Sequence, residues 1–440
     1  MIIPMRYSKS FLFLSLFLAT FYLGFQARSL HFSGSGSDLV SSQSVSDPLG
    51  DEGYIALQLQ ERPILRGRDV HEAVSPRVIT IEAEDGWGSG FLIGDGRKAL
   101  SNFHVISGPV PWNRWTLTFF VLKKDGSFEQ QTGTGFRLLY ADSRADSVVL
   151  DTGRRHLNSG IPLVPEGRYR SGDSVYTLGH PDVGEEPLLH TFSHGIISHR
   201  RRRFAGIPYI QVDVPINLGN SGGPLLNAHG EAIGIVSMVG AERQGMAFAV
   251  TLDRLREPLK RLKIRQEDGK REQDRVGKIA LSFLSALREG HFKVASEHIA
   301  PFYGHDMSSE FEMYRDSAWM SWEELEGSGL SKEQRHEEVD ILLEEESGDW
   351  IQSRYLMKAF GPDSKVDESS IRIYYALCLL GELGERWISE KIVKVALEGA
   401  GAEIRVRLRS QEGSSRECVL RLFRDRDTWC LCPYVLEEEE

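Results

Sequence analysis

Apolar and polar positions follow different patterns along the chain. Across residues 75–250, short segments rich in Val, Ile, Phe and Thr are separated by turn residues. Strands of this kind at roughly 10- to 15-residue spacing are typical of an all-β sandwich or barrel. Leucines then recur at helical spacing in residues 251–262, which predicts a helix packed at the end of the β-rich region.

The pattern changes after a charged segment without core residues, 264–275. Residues 276–300 indicate an amphipathic helical pair, and further helical segments follow it. The strand candidates come last: "SSIRIYYALCLL", "EKIVKVALEG", "AEIRVRLRS", "ECVLRLFR" and "TWCLCPYV". Helices followed by a meander of strands predict a smaller α+β domain over residues 276–440. We interpret 264–275 as a linker, and we expect the β-rich region to fold as a self-contained unit.

The N-terminal segment has the composition of a secretory signal. Arg6 and Lys9 precede an apolar run, residues 11–25, that is short for a bilayer span of about 20 residues. Residues 1–30 are therefore a cleaved signal peptide or an uncleaved membrane anchor. Residues 31–70 open with Ser and Gly and predict a flexible linker. With either leader, the body of the protein is expected outside the cytoplasm.

Composition excludes some classes of partner. The 440-residue chain has a formal net charge of -11, which argues against nucleic acid. All the cysteines lie late, at Cys378, Cys418, Cys430 and Cys432, and their spacing is not that of a zinc site. We predict no metal and no cofactor. Disulfide pairing stays open, although two residues that lie two apart share one face of a strand.

The candidate chemistry centres on "INLGNSGGPLLN", residues 216–227. Ser221 stands among Gly219, Gly222 and Gly223, and glycines let another group approach bare backbone N–H groups, as an oxyanion hole requires. A serine nucleophile also needs a base and an orienting acid. His104 is the candidate base, because it follows two strand-like segments joined by a hairpin signal.

These motifs resemble the HtrA/Deg group of the trypsin-like serine protease superfamily. "SNFHV", residues 101–105, is similar to that group's histidine motif, and "ADSVVL", residues 145–150, to its aspartate strand. Gly-Asn-Ser-Gly-Gly-Pro is found unchanged at residues 219–224. The resemblance covers residues 75–262, and the order His, Asp, Ser differs from that of subtilisin-like and α/β-hydrolase enzymes.

The resemblance implies an all-β double β-barrel protease domain, residues 71–263, with two six-stranded barrels and the site between them. It makes Ser221 the nucleophile, His104 the base and Asp146 the acid, with Asp142 as the rival for the acid role. The implied oxyanion hole is formed by Gly219, Asn220 and Ser221.

The resemblance also implies a pocket for the substrate side chain on the acyl side of the cut bond. No predicted lining residue is charged, so an apolar side chain should be preferred. The predicted residues are Pro215, Ile216, Ser237, Met238 and Phe248. The basic run "HRRRRF", residues 199–204, is interpreted as a solvated loop, or alternatively as a contact for an acidic partner or anionic lipid.

The chain departs from the family pattern after residue 275, where no PDZ signature follows. Residues 276–440 weakly resemble the SnoaL/nuclear-transport-factor-like α+β cone. The expected function is a serine endopeptidase acting on unfolded or damaged extracytoplasmic polypeptides. The alternative is a catalytically silent scaffold that binds such chains. The oligomeric state is left open.

Overall fold

The computed structural model describes residues 64–436 with short gaps, at 84–85, 108–113, 154, 156–158, 165–167, 182–187, 205, 218, 238–245, 262–268, 301–306, 327, 348–352, 362–363, 365–366 and 384–386. The predicted leader and most of the Ser/Gly linker lie outside the described residues. Ile64–Glu440 group into one compact unit. Among the described helices, none is both long and apolar enough to cross a membrane.

The second half of the β-rich region is a closed barrel of six antiparallel strands. They follow the order β10-β13-β12-β11-β8-β9 around the barrel. Strand β12 is buried along its whole length, which explains its nearly continuous apolar sequence. The strands are β8 (Ser174–Gly179), β9 (Thr191–Phe204), β10 (Ile207–Val212), β11 (Pro224–Asn227), β12 (Ala232–Ser237) and β13 (Ala247–Thr251).

The first half is an open antiparallel sheet and not the second six-stranded barrel that we expected. Its seven strands follow the order β6-β7-β3-β2-β1-β4-β5, and β5 and β6 do not pair. They are β1 (Val78–Ala83), β2 (Gly86–Ile93), β3 (Lys98–Ser101), β4 (Thr116–Leu122), β5 (Phe128–Thr134), β6 (Arg137–Asp142) and β7 (Ser147–Asp151). The free edge of β6 instead pairs with the C-terminal region.

The C-terminal region has the predicted order of helices and then strands. Strands β14–β17 are antiparallel neighbours in sequence order. The helices are α3 (Gly269–Arg288), α4 (Phe292–Ser296), α5 (Met307–Glu324), α6 (Lys332–Ser347), α7 (Ser353–Ala359) and α8 (Glu368–Leu383). The strands are β14 (Trp387–Glu398), β15 (Gly401–Ser410), β16 (Ser415–Asp425) and β17 (Thr428–Leu436).

The strand prediction for "SSIRIYYALCLL" is wrong, because this segment lies in helix α8. The Asp367 carboxylate accepts the amide of Ser370 at 3.0 Å, as an N-cap does. Tyr374 and Leu377 are among its buried residues and join the C-terminal core. A run of apolar residues without a clear period does not distinguish a buried helix from a buried strand.

The structure does not divide the chain at the predicted linker. Residues 269–275 begin helix α3, so this part of 264–275 is helical, while 264–268 lie outside the described residues. One hydrophobic cluster joins Phe103 and Ile106 of the β-rich region to Phe423 and Cys430 of the C-terminal region. The two regions therefore share a core, and independent folding of the β-rich region stays a prediction.

In three shorter segments the structure differs from the prediction or adds detail to it. Gly67–Val74 is a helix, α1, within the predicted flexible linker and protease boundary, and it buries Val70 and Val74. The basic run 199–204 is not a loop but the end of strand β9. The leucine-bearing segment forms a 3₁₀ turn followed by a short helix, α2 (Arg256–Arg261).

Cys430 and Cys432, both within the described residues, form no disulfide with each other. Cys430 and Cys432 lie on β17 and are buried in the shared core. Burial raises the pKa of the Cys430 thiol to about 12, so this side chain is a small apolar group at neutral pH.

Candidate active site

His104 and Asp146, far apart in sequence, form a hydrogen-bonded pair. His104 begins a 3₁₀ turn after β3, and its Nδ1 lies 2.8 Å from Asp146 Oδ2. Because a carboxylate only accepts, Nδ1 is the donor, and this leaves Nε2 as the acceptor nitrogen. The amide of His104 also donates to Asp146 Oδ1 at 3.0 Å, so both carboxylate oxygens bind the histidine turn.

Neighbouring side chains fix Asp146 in this orientation. Its backbone has φ 47°, a left-handed conformation that is uncommon for a side chain other than glycine. Asn102 Nδ2 donates to the Asp146 carbonyl at 2.7 Å. Ser237 Oγ, at the end of β12, donates to Asp146 Oδ2 at 2.9 Å. The carboxylate therefore accepts hydrogen bonds from both halves of the protease region.

The electrostatic environment favours a protonated His104. Burial disfavours the imidazolium, but the charge of Asp146 and its hydrogen bond outweigh this and raise the pKa of His104 above its ordinary value. The imidazole side chain is 35% exposed, so one side of it is open to a ligand. A carboxylate that stabilises an imidazolium is what a general base requires when it takes a proton.

The loop of Ser221 is built on the closed barrel and is held by Ser89 of β2. The amide of Ser89 donates to the Ser221 carbonyl at 2.8 Å, and its hydroxyl donates to the Gly219 carbonyl at 2.7 Å. Gly222 has φ +87°, and a Cβ there would lie 2.0 Å from the Ser89 carbonyl oxygen. Only glycine fits this approach, which explains the glycine after the serine.

Two amides in this loop donate to no carbonyl of a described residue: those of Gly219 and Ser221. They are suited to bind a developing oxyanion. The Asn220 amide is different, because it donates to the Asn217 carbonyl at 3.1 Å and closes the turn. The prediction of Asn220 as an oxyanion donor therefore does not fit the geometry.

Strand β12 brings the serine loop and the aspartate turn to the same place. The Val236 carbonyl accepts the Gly222 amide at 2.8 Å, and the next residue, Ser237, binds Asp146. A Cβ on Gly88 would lie 2.7 Å from methyl groups of Val105 and 3.3 Å from the Ser221 carbonyl, so the histidine turn also adjoins the serine loop. Among the described residues, the Ser221 hydroxyl makes no hydrogen bond; such contacts often tighten only when substrate binds.

Asp142, the rival for the acid role, binds other groups than the His104 imidazole. It is 1% exposed, and its Oδ1 accepts the Ala145 amide at 3.0 Å. Its Oδ2 lies 3.3 Å from Arg254 Nε. Asp142 thus stabilises the turn that carries Asp146 and does not contact His104.

The described residues of the predicted pocket have different surroundings, and their shared role in a pocket stays a prediction. Pro215 is exposed, and Ile216 packs at the edge of the barrel core. Phe248 is buried against Phe204, with ring centroids 5.1 Å apart. The Ser237 hydroxyl donates a hydrogen bond to Asp146. Met238 lies outside the described residues.

Sequence reasoning missed the supports of the site. Asn102 stands inside the quoted motif "SNFHV", which held a signal for it, while Ser89 lies in the segment "GSGF" of β2, outside the quoted motifs. Ser237 had been interpreted as a pocket residue. No local signal indicated that Phe423, 320 positions away, would pack on Phe103 with ring centroids 4.7 Å apart.

Known proteins match the same part of the chain. Residues 88–235 match the family model described as a trypsin-like peptidase domain. The putative serine protease HhoB of Synechocystis sp. is 31% identical over 244 residues, which cover 52% of this chain and 51% of HhoB.

Two further relatives are also described as serine proteases. Serine protease HTRA1 of Xenopus tropicalis is 29% identical over 256 residues, covering 53% of this chain and 50% of HTRA1. The probable periplasmic serine endoprotease DegP-like of Rhizobium meliloti is 34% identical over 169 residues, covering 37% of this chain and 30% of the relative. The chain spans about half the length of HhoB and HTRA1.

Proposed function

We propose that the chain carries an HtrA-type trypsin-like serine protease domain and that it hydrolyses peptide bonds with Ser221 as nucleophile. The observation that carries the proposal is the His104–Asp146 pair, held at 2.8 Å beside a serine loop in which two amides donate to no carbonyl of a described residue. Each component has a separate chemical task.

The proposed reaction passes through an acyl-enzyme. Ser221 Oγ attacks the carbonyl carbon while His104 Nε2 takes its proton, and the same nitrogen then delivers the proton to the leaving amine. Asp146 holds the imidazole tautomer and stabilises the imidazolium. The amides of Gly219 and Ser221 bind the oxyanion, at roughly 3–4 kcal/mol of transition-state stabilisation for each donor. Water then hydrolyses the ester by the reverse sequence of proton transfers.

We infer an apolar preference for the substrate side chain next to the cut bond. Residues 215–217 and 246–250 are uncharged. A buried Lys or Arg side chain of a substrate would find no counter-charge there. Polypeptides that expose apolar side chains, such as unfolded or damaged proteins, are the substrates that this preference fits.

We place this activity outside the cytoplasm. The basic and apolar pattern of residues 1–25 supports this, and one relative is described as a periplasmic endoprotease. For the C-terminal domain, the order of helices and then a four-strand meander supports the predicted likeness to a SnoaL-like cone.

Labelling with a fluorophosphonate probe tests the proposal. The probe reacts only with an activated serine, so peptide mapping of the labelled full-length chain should find the adduct on Ser221. The Ser221→Ala chain is the control and should take no label. A folded wild-type chain that takes no label but suppresses aggregation of an unfolded protein would instead establish the silent scaffold.

A further inference from the structure

The C-terminal domain contacts the protease region directly behind His104 and Asp146. We call the residues that make this contact, Gly399–Ala400 and Phe423–Arg426, the docking edge. The edge joins β6 in parallel, with Asp425 opposite Ala141. The Arg426 amide donates to the Ala141 carbonyl at 2.8 Å, and the Ala400 amide donates to the Leu138 carbonyl at 2.7 Å.

The fit at this edge is tight. Gly399 has φ +65°, and a Cβ there would lie 2.3 Å from the Leu138 carbonyl oxygen. A side chain would therefore push the β14–β15 turn away from β6. The Arg424 amide donates to the Ala400 carbonyl at 2.7 Å and ties this turn to the end of β16. The two parts of the docking edge are thus one rigid surface.

Asp425 holds the turn that carries Asp146. Its Oδ1 accepts the amide of Ser143 at 2.7 Å. Ser143 and Asp425 are 1% and 3% exposed, so water does not replace this bond. The Ser143 carbonyl in turn accepts the Asp146 amide at 3.3 Å. The acceptor that fixes the start of the aspartate turn therefore comes from the C-terminal domain.

Phe423 holds the histidine turn in the same way. Its ring is fully buried and packs on Phe103, the residue directly before His104. Phe103 lies immediately before the 3₁₀ turn that begins at His104. A shift of the Phe103 ring would therefore move the backbone of His104.

We propose that the docking edge is a positioning element of the proposed active site, with Asp425 acting on the Asp146 turn and Phe423 acting on the His104 turn. This inference rests on the proposed function for its kinetic consequence but not for its structural one. It makes the C-terminal domain part of the scaffold of the His104–Asp146 pair. Residues 276–440 are then required for turnover of even a short peptide, which needs no additional capture surface.

Substitution of Asp425 in the full-length chain tests the proposal. Asp425→Ala leaves the buried Ser143 amide without its acceptor, so the Asp146 turn should relax. For a short peptide substrate we expect kcat to fall by roughly tenfold to a hundredfold, as small misplacements of catalytic groups do, with KM nearly unchanged. Asp425→Asn keeps an acceptor oxygen and should retain most of the activity.

The second measurement needs no turnover. The titration of the His104 imidazole, followed by NMR and assigned with His104→Gln, reports its distance from the Asp146 charge. In Asp425→Ala the pKa of His104 should fall from its raised value toward the ordinary one. Asp427→Ala, at an exposed position in the following turn, is the matched control and should change neither kcat nor the titration.

The outcomes separate the two proposals. A wild-type chain without peptidase activity refutes the proposed function, and the imidazole titration still decides the positioning role. A folded Asp425→Ala chain with wild-type kcat and titration overturns the inference. If Asp425→Ala does not unfold cooperatively, Phe423→Leu is measured in the same two assays, and unchanged values there overturn it.

Discussion

The Ser221 loop and the His104–Asp146 pair lie on differently built halves of the β-rich region. The Ser221 loop belongs to a closed barrel, and its glycines turn the chain locally. The histidine and aspartate turns belong to an open sheet whose edge at β6 is completed by the C-terminal domain. A closed barrel satisfies its own strand edges, whereas an open sheet leaves an edge that another element must cover.

This difference teaches where each half is vulnerable. The serine loop depends on nearby backbone geometry, with Ser89 and Val236 as its partners from adjoining strands. The pair depends on residues that are distant in sequence, including Asp425 and Phe423. Changes at Asp425 or Phe423 should therefore affect proton transfer while leaving the serine loop folded.

Removal of the nucleophile should have the largest effect. Ser221→Ala should lower the rate of cleavage of casein by several orders of magnitude, up to about 10⁶-fold, because members of a triad act as a unit. The fold should be unchanged, since the Ser221 carbonyl and not its side chain binds Ser89. Gel-based cleavage and circular dichroism measure both. Activity within tenfold of wild type would contradict the proposed mechanism.

The next largest effect should distinguish the two aspartates. Asp146→Asn should reduce kcat by about 10⁴-fold, because the amide disfavours the required tautomer and does not stabilise the imidazolium. Asp142→Asn keeps an acceptor for the Ala145 amide and should lose less than about tenfold. Steady-state kinetics on one peptide compares them. If Asp142→Asn instead lowers kcat more than Asp146→Asn does, Asp142 is the acid.

The pH dependence of activity should report the same pair. The base must be neutral, so kcat/KM falls as pH decreases through the pKa of His104, which Asp146 raises above 6.5. The acid limb of the wild-type profile should therefore have its midpoint above 6.5. In Asp146→Asn the residual activity should show this limb at lower pH. An unchanged limb would mean that Asp146 does not control the charge on the imidazole.

A smaller effect is expected at a half-buried contact between the two halves. His190 of the barrel half stacks on Phe128 of the sheet half, with ring centroids 3.9 Å apart. Neither ring nitrogen of His190 makes a hydrogen bond within the described chain. Burial lowers the pKa of His190 to about 4. Between pH 6.5 and 4, the His190 imidazole is therefore protonated in the unfolded chain but neutral in the folded chain. The free energy of unfolding should decrease across this pH range.

His190→Phe should reduce this acid sensitivity without lowering the melting temperature at pH 7.5, because the ring stacking is kept. The buried His180, whose pKa is lowered to about 3, should account for part of the loss of stability at low pH that remains in His190→Phe. Thermal melts across the pH range give the comparison, and His194→Phe, exposed on β9, is the control. If the melting temperature depends on pH in the same way in His190→Phe and in the wild type, the His190 imidazole is not the group that destabilises the fold in acid.

Local patterns in the sequence determined the site's chemical components. The glycines around Ser221 predict the backbone turns that φ values of +85° at Gly219 and +87° at Gly222 display. A sandwich or barrel of short strands, the order of helices and strands in the C-terminal domain, and the shared face of Cys430 and Cys432 were also predicted, while the count of six strands in the barrel came from the family resemblance. These features follow from residue type and short-range periodicity, which the chain carries at each position.

Only the tertiary structure decided how those components are supported. It placed the Ser237 hydroxyl on Asp146, used the Asn220 amide within its own turn, and made α8 a helix by burying it against a sheet. It also joined Asp425 to Ser143 across 282 positions. The physical reason is that a hydrogen bond or a ring contact needs two groups at one place. A linear pattern specifies each group, but the folded backbone determines which groups meet.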